Sequence, residues 1–200
     1  MIDAIQGVSH LSIILNQLQQ TETDLITYTA ASNTDKVSQY VSRVAELKLL
    51  AKSAYADLAA FQVRSTAGVA QGFNQFRNAA VGNLTVTAYA LKVISRASFL
   101  DDFTNSSSTY QQNLAWLVSR RDGKGGYIHP VVVDATTNST AKVNNAFITD
   151  ALLYTTFANG SAPILTIEVA TVLSTATASF KKGETADTVT SDPYYLAVAI

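Results

Sequence analysis

The sequence predicts an all-α fold. Apolar residues recur at helical spacing in several long segments, which is the main signal of amphipathic helices. Polar stretches rich in Ser, Thr, Asn and Gly separate these segments. A short pattern of apolar and small residues also recurs at 86–91, 147–152 and 195–200, and such repeats are typical of stacked or ring-closed helix pairs. The alternative is chance recurrence of Ala and Leu.

Composition limits the class of protein. Hydrophobic residues make up 48% of the 200 and charged residues 14%, against a usual charged share of about 25%, which excludes intrinsic disorder. We expect one domain over residues 1–200. The net charge of −1 argues against nucleic acid as a partner, and no apolar run reaches the roughly 18 residues of a membrane span. Cysteine is absent, which excludes disulfides and thiolate chemistry.

The first half of the chain predicts two helices and two loops. Asp3 is the expected N-cap of a first helix, whose apolar positions run from 5 to 18. The polar run 21–35 predicts a loop. Residues 37–61 form the clearest amphipathic helix, and the glycine-containing run 64–82 predicts an irregular connection.

The middle of the chain predicts two more helices. Asn83 is the expected cap of a helix that ends near 99, and 101–108 is a polar break. A helix from Tyr110 should end at Arg120 and Arg121, where cations complement the helix dipole. The run 122–126, Asp-Gly-Lys-Gly-Gly, predicts a turn.

The last third predicts a short strand and two helices. Residues 131–133 fit a strand, and a helix should begin near Phe147. A final helix is expected from Pro163 to Lys181, closed by cations and a glycine. No signal peptide is predicted at the start. Because an apolar run occupies 194–200, we expect the chain to be a piece of a larger protein.

Few residues have the chemistry of a catalytic or metal site. His10 and His129 are the only histidines, so a zinc site would need carboxylates as well. Asp101 and Asp102 are adjacent and do not face each other on a helix, which favours a charge-capping role at a helix end. The run 122–126 lacks the order of a phosphate-binding loop. We predict no catalytic residue, no cofactor and no metal.

Charge is unevenly distributed along the chain. Residues 59–100 hold four basic side chains and no acidic one, whereas 143–200 hold two basic and five acidic side chains. This asymmetry predicts opposed faces suited to a protein partner. The alternative is that folding mixes the two segments.

Four Asn-x-Ser/Thr sequons are candidate glycosylation sites. All four are expected in loops or at helix ends, where a glycan fits if the protein is secreted. Asn83 has the alternative role of an N-cap. The four are Asn83, Asn105, Asn138 and Asn159.

Three segments resemble successive helices of thioester domains in the α-macroglobulin and complement family. Residues 83–94 contain Thr-Ala-Tyr-Ala-Leu-Lys, 112–127 contain Trp-Leu followed by Asp-Gly and Gly-Tyr, and 145–153 are similar to the next helix. The resemblance covers about 35–200. It implies an α/α-toroid, in which helical hairpins form concentric rings, here partial.

The family's reactive Gly-Cys-Gly-Glu-Gln motif has no counterpart, so covalent capture of targets is impossible in this chain. The resemblance then implies a non-catalytic extracellular domain that contacts protein partners or neighbouring domains in protease trapping or immune recognition. The Trp-Leu and Asp-Gly-Gly patterns also occur in terpene cyclases and prenyltransferase subunits, which share the toroid. A toroid enzyme of that kind and a secreted structural or adhesive glycoprotein are therefore the alternatives.

Overall fold

The computed structural model describes residues 3–128, 139–159 and 166–181. The described chain is predominantly helical, as predicted, with one small antiparallel sheet. The helices are α1 (Ala4–Ala30), α2 (Thr34–Leu58), α3 (Leu84–Ile94), α4 (Thr109–Val118), α5 (Ser139–Asn159) and α6 (Thr166–Lys181). The strands are β1 (Gln62–Arg64) and β2 (Ala70–Phe73). Several predictions fall outside the described residues: the strand at 131–133, the helix start at Pro163 and the closing glycine at 183. The apolar run 194–200 lies outside them as well.

Helix α1 begins where the sequence predicts. The Asp3 carboxylate accepts a hydrogen bond from the Gln6 backbone N–H at 2.9 Å, and the Gln6 side chain accepts from the Asp3 N–H at 3.2 Å. This capping box satisfies donors that a helix start leaves free. The buried face of α1 consists of Ala4, Val8, Leu11, Ile14, Leu15 and Leu18.

The loop predicted at 21–35 is wrong. Helix α1 continues to Ala30, and only a short turn separates it from α2. Threonine hydroxyls in this stretch bond within the helix: Thr21 donates to the Gln17 carbonyl and Thr29 to the Leu25 carbonyl, both at 2.7 Å. These bonds engage the polar groups that would otherwise compete with helical backbone.

Helices α1 and α2 form an antiparallel hairpin. The Tyr28 and Tyr40 rings lie 5.0 Å apart near its tip, and Lys48 Nζ lies 3.0 Å from Glu22 Oε1 nearer its base. The base is packed in the core, but no residue between 19 and 46 is buried. We call residues 19–46 the distal hairpin.

Strands β1 and β2 replace the irregular connection predicted at 64–82. Gln62 pairs with Phe73 and Arg64 with Ala70. Helix α4 holds β2 through side chains: Gln112 accepts from the Ala70 N–H at 2.8 Å, and Asn113 accepts from the Gly72 N–H at 2.9 Å. Because these partners are about 40 residues away along the chain, local sequence patterns did not reveal the sheet.

The capping prediction for α3 is confirmed, since the Asn83 side chain accepts from the Val86 N–H at 3.0 Å. Helix α3 ends at Ile94, however, and not near 99. Helix α5 begins at Ser139, before the predicted start near 147.

The predicted dipole role of Arg120 and Arg121 is wrong, because α4 ends at Val118. A tight turn follows, in which the Arg120 N–H donates to the Leu117 carbonyl at 3.1 Å. Arg120 instead stacks over Trp116, with its guanidinium carbon 5.1 Å from the ring centroid. Arg121 instead binds Glu168 on α6.

The predicted turn at 122–126 is confirmed. The Asp122 carboxylate accepts from the Lys124 N–H at 2.7 Å and from the Gly126 N–H at 2.9 Å. Gly123 and Gly125 have φ angles of 72° and 95°, a region that glycine adopts without steric cost.

Helices α1, α3 and α5 lie side by side and run in the same direction. Between α1 and α3, Ser9 contacts Tyr89 and Asn16 contacts Arg96, so the residue numbers rise together. Between α3 and α5, the Tyr89 ring contacts Phe147 and Lys92 contacts Asp150, so the residue numbers again rise together. The repeated segments 86–91 and 147–152 therefore lie on neighbouring parallel helices.

Candidate functional site

A groove runs along α1, α3 and α5. It consists of three adjoining cavities of about 380, 360 and 330 Å³. The first and third share Gln19, Arg96 and Tyr154, and the second and third share Tyr89 and Phe147. The cavities therefore adjoin one another, and we call them together the α1–α3–α5 groove.

Helix α3 contributes one face to this groove. Thr85, Tyr89 and Lys92 follow one another at helical spacing and line it, which places them on the same side of the helix. Arg96, two residues past the end of α3, lines the groove as well. Most other side chains of α3 are buried in the core. The sequence forms this face by placing polar and aromatic residues every three or four positions in an otherwise apolar segment.

One end of the groove is apolar. Ile5, Val86, Tyr89 and Phe147 line it, and the Tyr89 and Phe147 ring centroids lie 6.3 Å apart in an edge-to-face arrangement. The Tyr89 hydroxyl lies 3.2 Å from the Ser9 hydroxyl on α1. This contact fixes the ring while leaving part of its face exposed.

The other end carries the charges. Lys92 Nζ lies 2.5 Å from an Asp150 carboxylate oxygen and 5.5 Å from the Tyr154 ring centroid. Lys48 lies across the groove in its ion pair with Glu22 and 5.8 Å from the Phe99 ring centroid. Two of the cations at this end therefore have a carboxylate neighbour.

Arg96 differs from these two lysines. Its guanidinium donates to the Ser12 hydroxyl at 3.3 Å and to the Asn16 side-chain oxygen at 2.5 Å, and both acceptors are neutral. In the part of the chain that the structure describes, no carboxylate lies within ion-pair distance of Arg96. Within the described part of the chain, Arg96 thus brings to the groove a positive charge that no ion pair balances.

His10 and the acidic pair do not line this groove. His10 is exposed on α1, and His129 lies outside the described residues. The Asp101 carboxylate accepts from the Tyr110 N–H in the first turn of α4 and from the Tyr55 hydroxyl, both at 2.8 Å. Burial of the Tyr55 hydroxyl, together with its hydrogen bond to Asp101, raises the pKa of Tyr55. The predicted capping role is therefore confirmed for Asp101.

Asp102 has only local partners. Its carboxylate accepts from the Thr104 hydroxyl at 2.7 Å and from the Thr104 N–H at 3.0 Å. These hydrogen bonds lower the pKa of Asp102. The described residues include no group of three or more His, Asp and Glu side chains arranged to hold a metal ion.

Two of the four sequon asparagines have described side chains, and both are exposed. Asn83 uses its side-chain oxygen to cap α3, and the Asn105 oxygen accepts from the Ser107 N–H at 2.9 Å. The amide nitrogen that would carry a glycan is not engaged in either bond. Asn138 lies outside the described residues, and Asn159 is the last residue of α5.

Sequence reasoning missed the groove, because three helices far apart in the chain form it. Two signals pointed toward it: the spacing of Tyr89, Lys92 and Arg96, and the absence of acidic residues from 59 to 100. Folding also joins the basic and acidic segments, since Lys92 pairs with Asp150.

The fold and the groove define this chain as a predominantly helical protein with an open groove between parallel helices. No family model, no curated protein and no solved structure matches it. Among the helices that the structure describes, none combines the length and apolar character that crossing a membrane requires.

Proposed function

We propose that this chain is a non-catalytic protein-interaction domain, and that the α1–α3–α5 groove binds a segment of a partner protein or of a neighbouring domain. The observation that carries the proposal is the row of three partly exposed aromatic rings, Tyr89, Phe147 and Tyr154, along the groove. Aromatic side chains are enriched in protein interfaces, where they combine a large apolar area with few rotatable bonds.

The proposed setting is an extracellular protein of the α-macroglobulin or complement kind, and the proposed architecture is a partial α/α-toroid. The parallel, side-by-side order of α1, α3 and α5 is what a ring of helical hairpins requires, and it supports this architecture. The exposure of Asn83 and Asn105 supports a setting in which both sequons are accessible to glycosylation. Without a cysteine, the domain acts there through non-covalent contacts.

The proposal is tested by selecting binders from a phage library of random dodecapeptides on the immobilised protein. Affinities of the enriched peptides are then measured by fluorescence polarisation for wild type, Tyr154→Ala and Tyr40→Ala. Tyr154 is 42% exposed in the groove, so its truncation should leave the fold intact and weaken binding about tenfold, as loss of an aromatic anchor does. Tyr40→Ala removes the same side chain from the distal hairpin and should leave the affinity unchanged.

Shifts of backbone amide resonances on peptide addition provide the second readout. They should cluster on the groove faces of α1, α3 and α5. Peptides that bind equally well to both variants, with shifts centred elsewhere, would contradict the groove as the interaction surface. Failure to enrich any peptide would contradict the interaction role itself.

A further inference from the structure

We infer that the partner segment is acidic at one end and apolar at the other, with a carboxylate on Arg96 and an apolar side chain between Tyr89 and Phe147. This inference rests on the proposed function and adds the chemistry of the partner. It follows from the contrast between the two ends of the groove.

The two cations at this end of α3 differ in their neighbours. Lys92 lies in the last turn of α3 and Arg96 lies two residues past the end of that helix, and both line the groove. Asp150 offsets the charge of Lys92. Among the described residues, no carboxylate lies at ion-pair distance from Arg96, whose guanidinium donates to the neutral side chains of Ser12 and Asn16.

The Arg96 guanidinium is held in a fixed position. Its contacts to Ser12 and Asn16 engage two of the five N–H donors that arginine carries and hold the planar group against α1. A guanidinium held in place loses little entropy when a carboxylate binds, and the pair forms charge-assisted bonds that are often bidentate. Arg96 is therefore preorganised for one carboxylate.

The carboxylates at the charged end of the groove disfavour binding of a long polyanion. Among the described residues that line the charged end, Glu22 contributes a negative charge beside Lys48, and Asp150 lies against Lys92. A nucleic acid strand would bring successive phosphates to these carboxylates and be repelled. A peptide with one acidic side chain brings its charge only to Arg96.

The distance between Tyr89 and Arg96 sets the spacing of the apolar and acidic residues in the partner segment. Tyr89 lies on α3 and Arg96 lies two residues past its end, so their separation of seven residues corresponds to about 10 Å at 1.5 Å per residue. An extended peptide covers this distance in about three residues. The expected motif is an apolar residue and an acidic residue about three positions apart.

The test is a second dodecapeptide selection, on wild type, Arg96→Glu and Arg43→Glu. Wild type should enrich peptides with the apolar–acidic spacing, and Arg96→Glu should enrich a basic residue at the acidic position. Arg43 lies on the distal hairpin, so Arg43→Glu makes the same charge change outside the groove and should keep the wild-type motif.

A double-mutant cycle then isolates the pair. Arg96→Gln and a Glu-to-Gln change in the best peptide should each weaken binding about tenfold, as expected for a charge-assisted pair. The combined change should weaken it little further, because both remove the same contact.

The outcomes separate this inference from the proposed function. Neutral or basic peptides whose binding depends on Tyr154 but not on Arg96 would overturn the inference and leave the proposed function standing. Binding that is insensitive to both residues, or no enrichment, would overturn both. Displacement of the peptide by oligo-dT at a lower concentration than by unlabelled peptide would identify a polyanion site and overturn the inference alone.

Discussion

Among single residues, Trp116 shows how closely the backbone approaches a large side chain. A β-carbon on Gly72 would lie 2.5 Å from its ring, and one on Gly82 would lie 2.8 Å from the ring and 2.2 Å from the Gln71 carbonyl oxygen. Distances this short leave no room for a side chain. Both glycines therefore allow the β2 segment and the chain before α3 to close over the indole.

The substitution Gly82→Ala should destabilise the protein by about 1–3 kcal/mol, the usual cost of forcing extra atoms into a packed site. Urea unfolding followed by circular dichroism measures the change. Gly7→Ala is the control, because a β-carbon there lies 3.8 Å from Leu58, in ordinary contact, within α1. It should stabilise the protein by about 0.5–1 kcal/mol, since glycine is unfavourable inside helices. Equal changes in both variants would contradict the steric argument.

Among the elements, the capped starts of α1 and α3 were predictable, and helix extents were not. The caps at Asp3 and Asn83 depend on residues three positions away, so a local pattern reveals them. The second half of α1 was missed because threonines are weak helix formers by propensity. There, packing against α2 overrides the propensity.

Helix α6 is held by a buried ion pair. The Glu168 side chain is fully buried, and its two carboxylate oxygens lie 2.6 and 2.9 Å from Arg121 Nε and Nη2. This pairing raises the pKa of Arg121. The bidentate geometry also fixes α6 relative to the turn that follows α4.

The substitution Glu168→Gln should lower the free energy of unfolding by about 2 kcal/mol, because it removes charge-assisted hydrogen bonds to a buried carboxylate, while the Arg121 side chain, 26% exposed, keeps partial access to water. The urea midpoint measures this loss. Glu46→Gln breaks the exposed pair with Arg43 and should change stability by less than about 1 kcal/mol. A similar small effect at Glu168 would show that α6 does not depend on this pair.

On the scale of the whole molecule, the candidate site depends on the arrangement of helices that are 50 to 80 residues apart in the chain. The contacts Ser9–Tyr89 and Tyr89–Phe147 bring α1, α3 and α5 together. The sequence repeat indicated that helices of one kind recur, but it carried no information on which faces meet. The groove could therefore be anticipated only in part, from the exposed stripe on α3.

The α1–α2 hairpin consists of two parts of unequal stability. At its base, Leu11 and Leu15 on α1 and Leu47, Ala51 and Leu58 on α2 belong to the core. The distal hairpin buries no residue and is closed by contacts such as the Tyr28–Tyr40 ring pair. Few buried apolar contacts are the physical mark of a segment that opens locally.

Hydrogen exchange of backbone amides should therefore be faster at 22–44 than at 8–18 and 47–58, because opening the distal hairpin breaks few core contacts. Two truncations check the same division. Leu11→Ala should cost about 2–5 kcal/mol of unfolding free energy, since it leaves a cavity in the core. Ile26→Ala, at a position 71% exposed, should stay within about 0.5 kcal/mol of wild type. If amides in both halves exchanged at one common rate, the distal hairpin would be unfolding together with the core, and the division would be wrong.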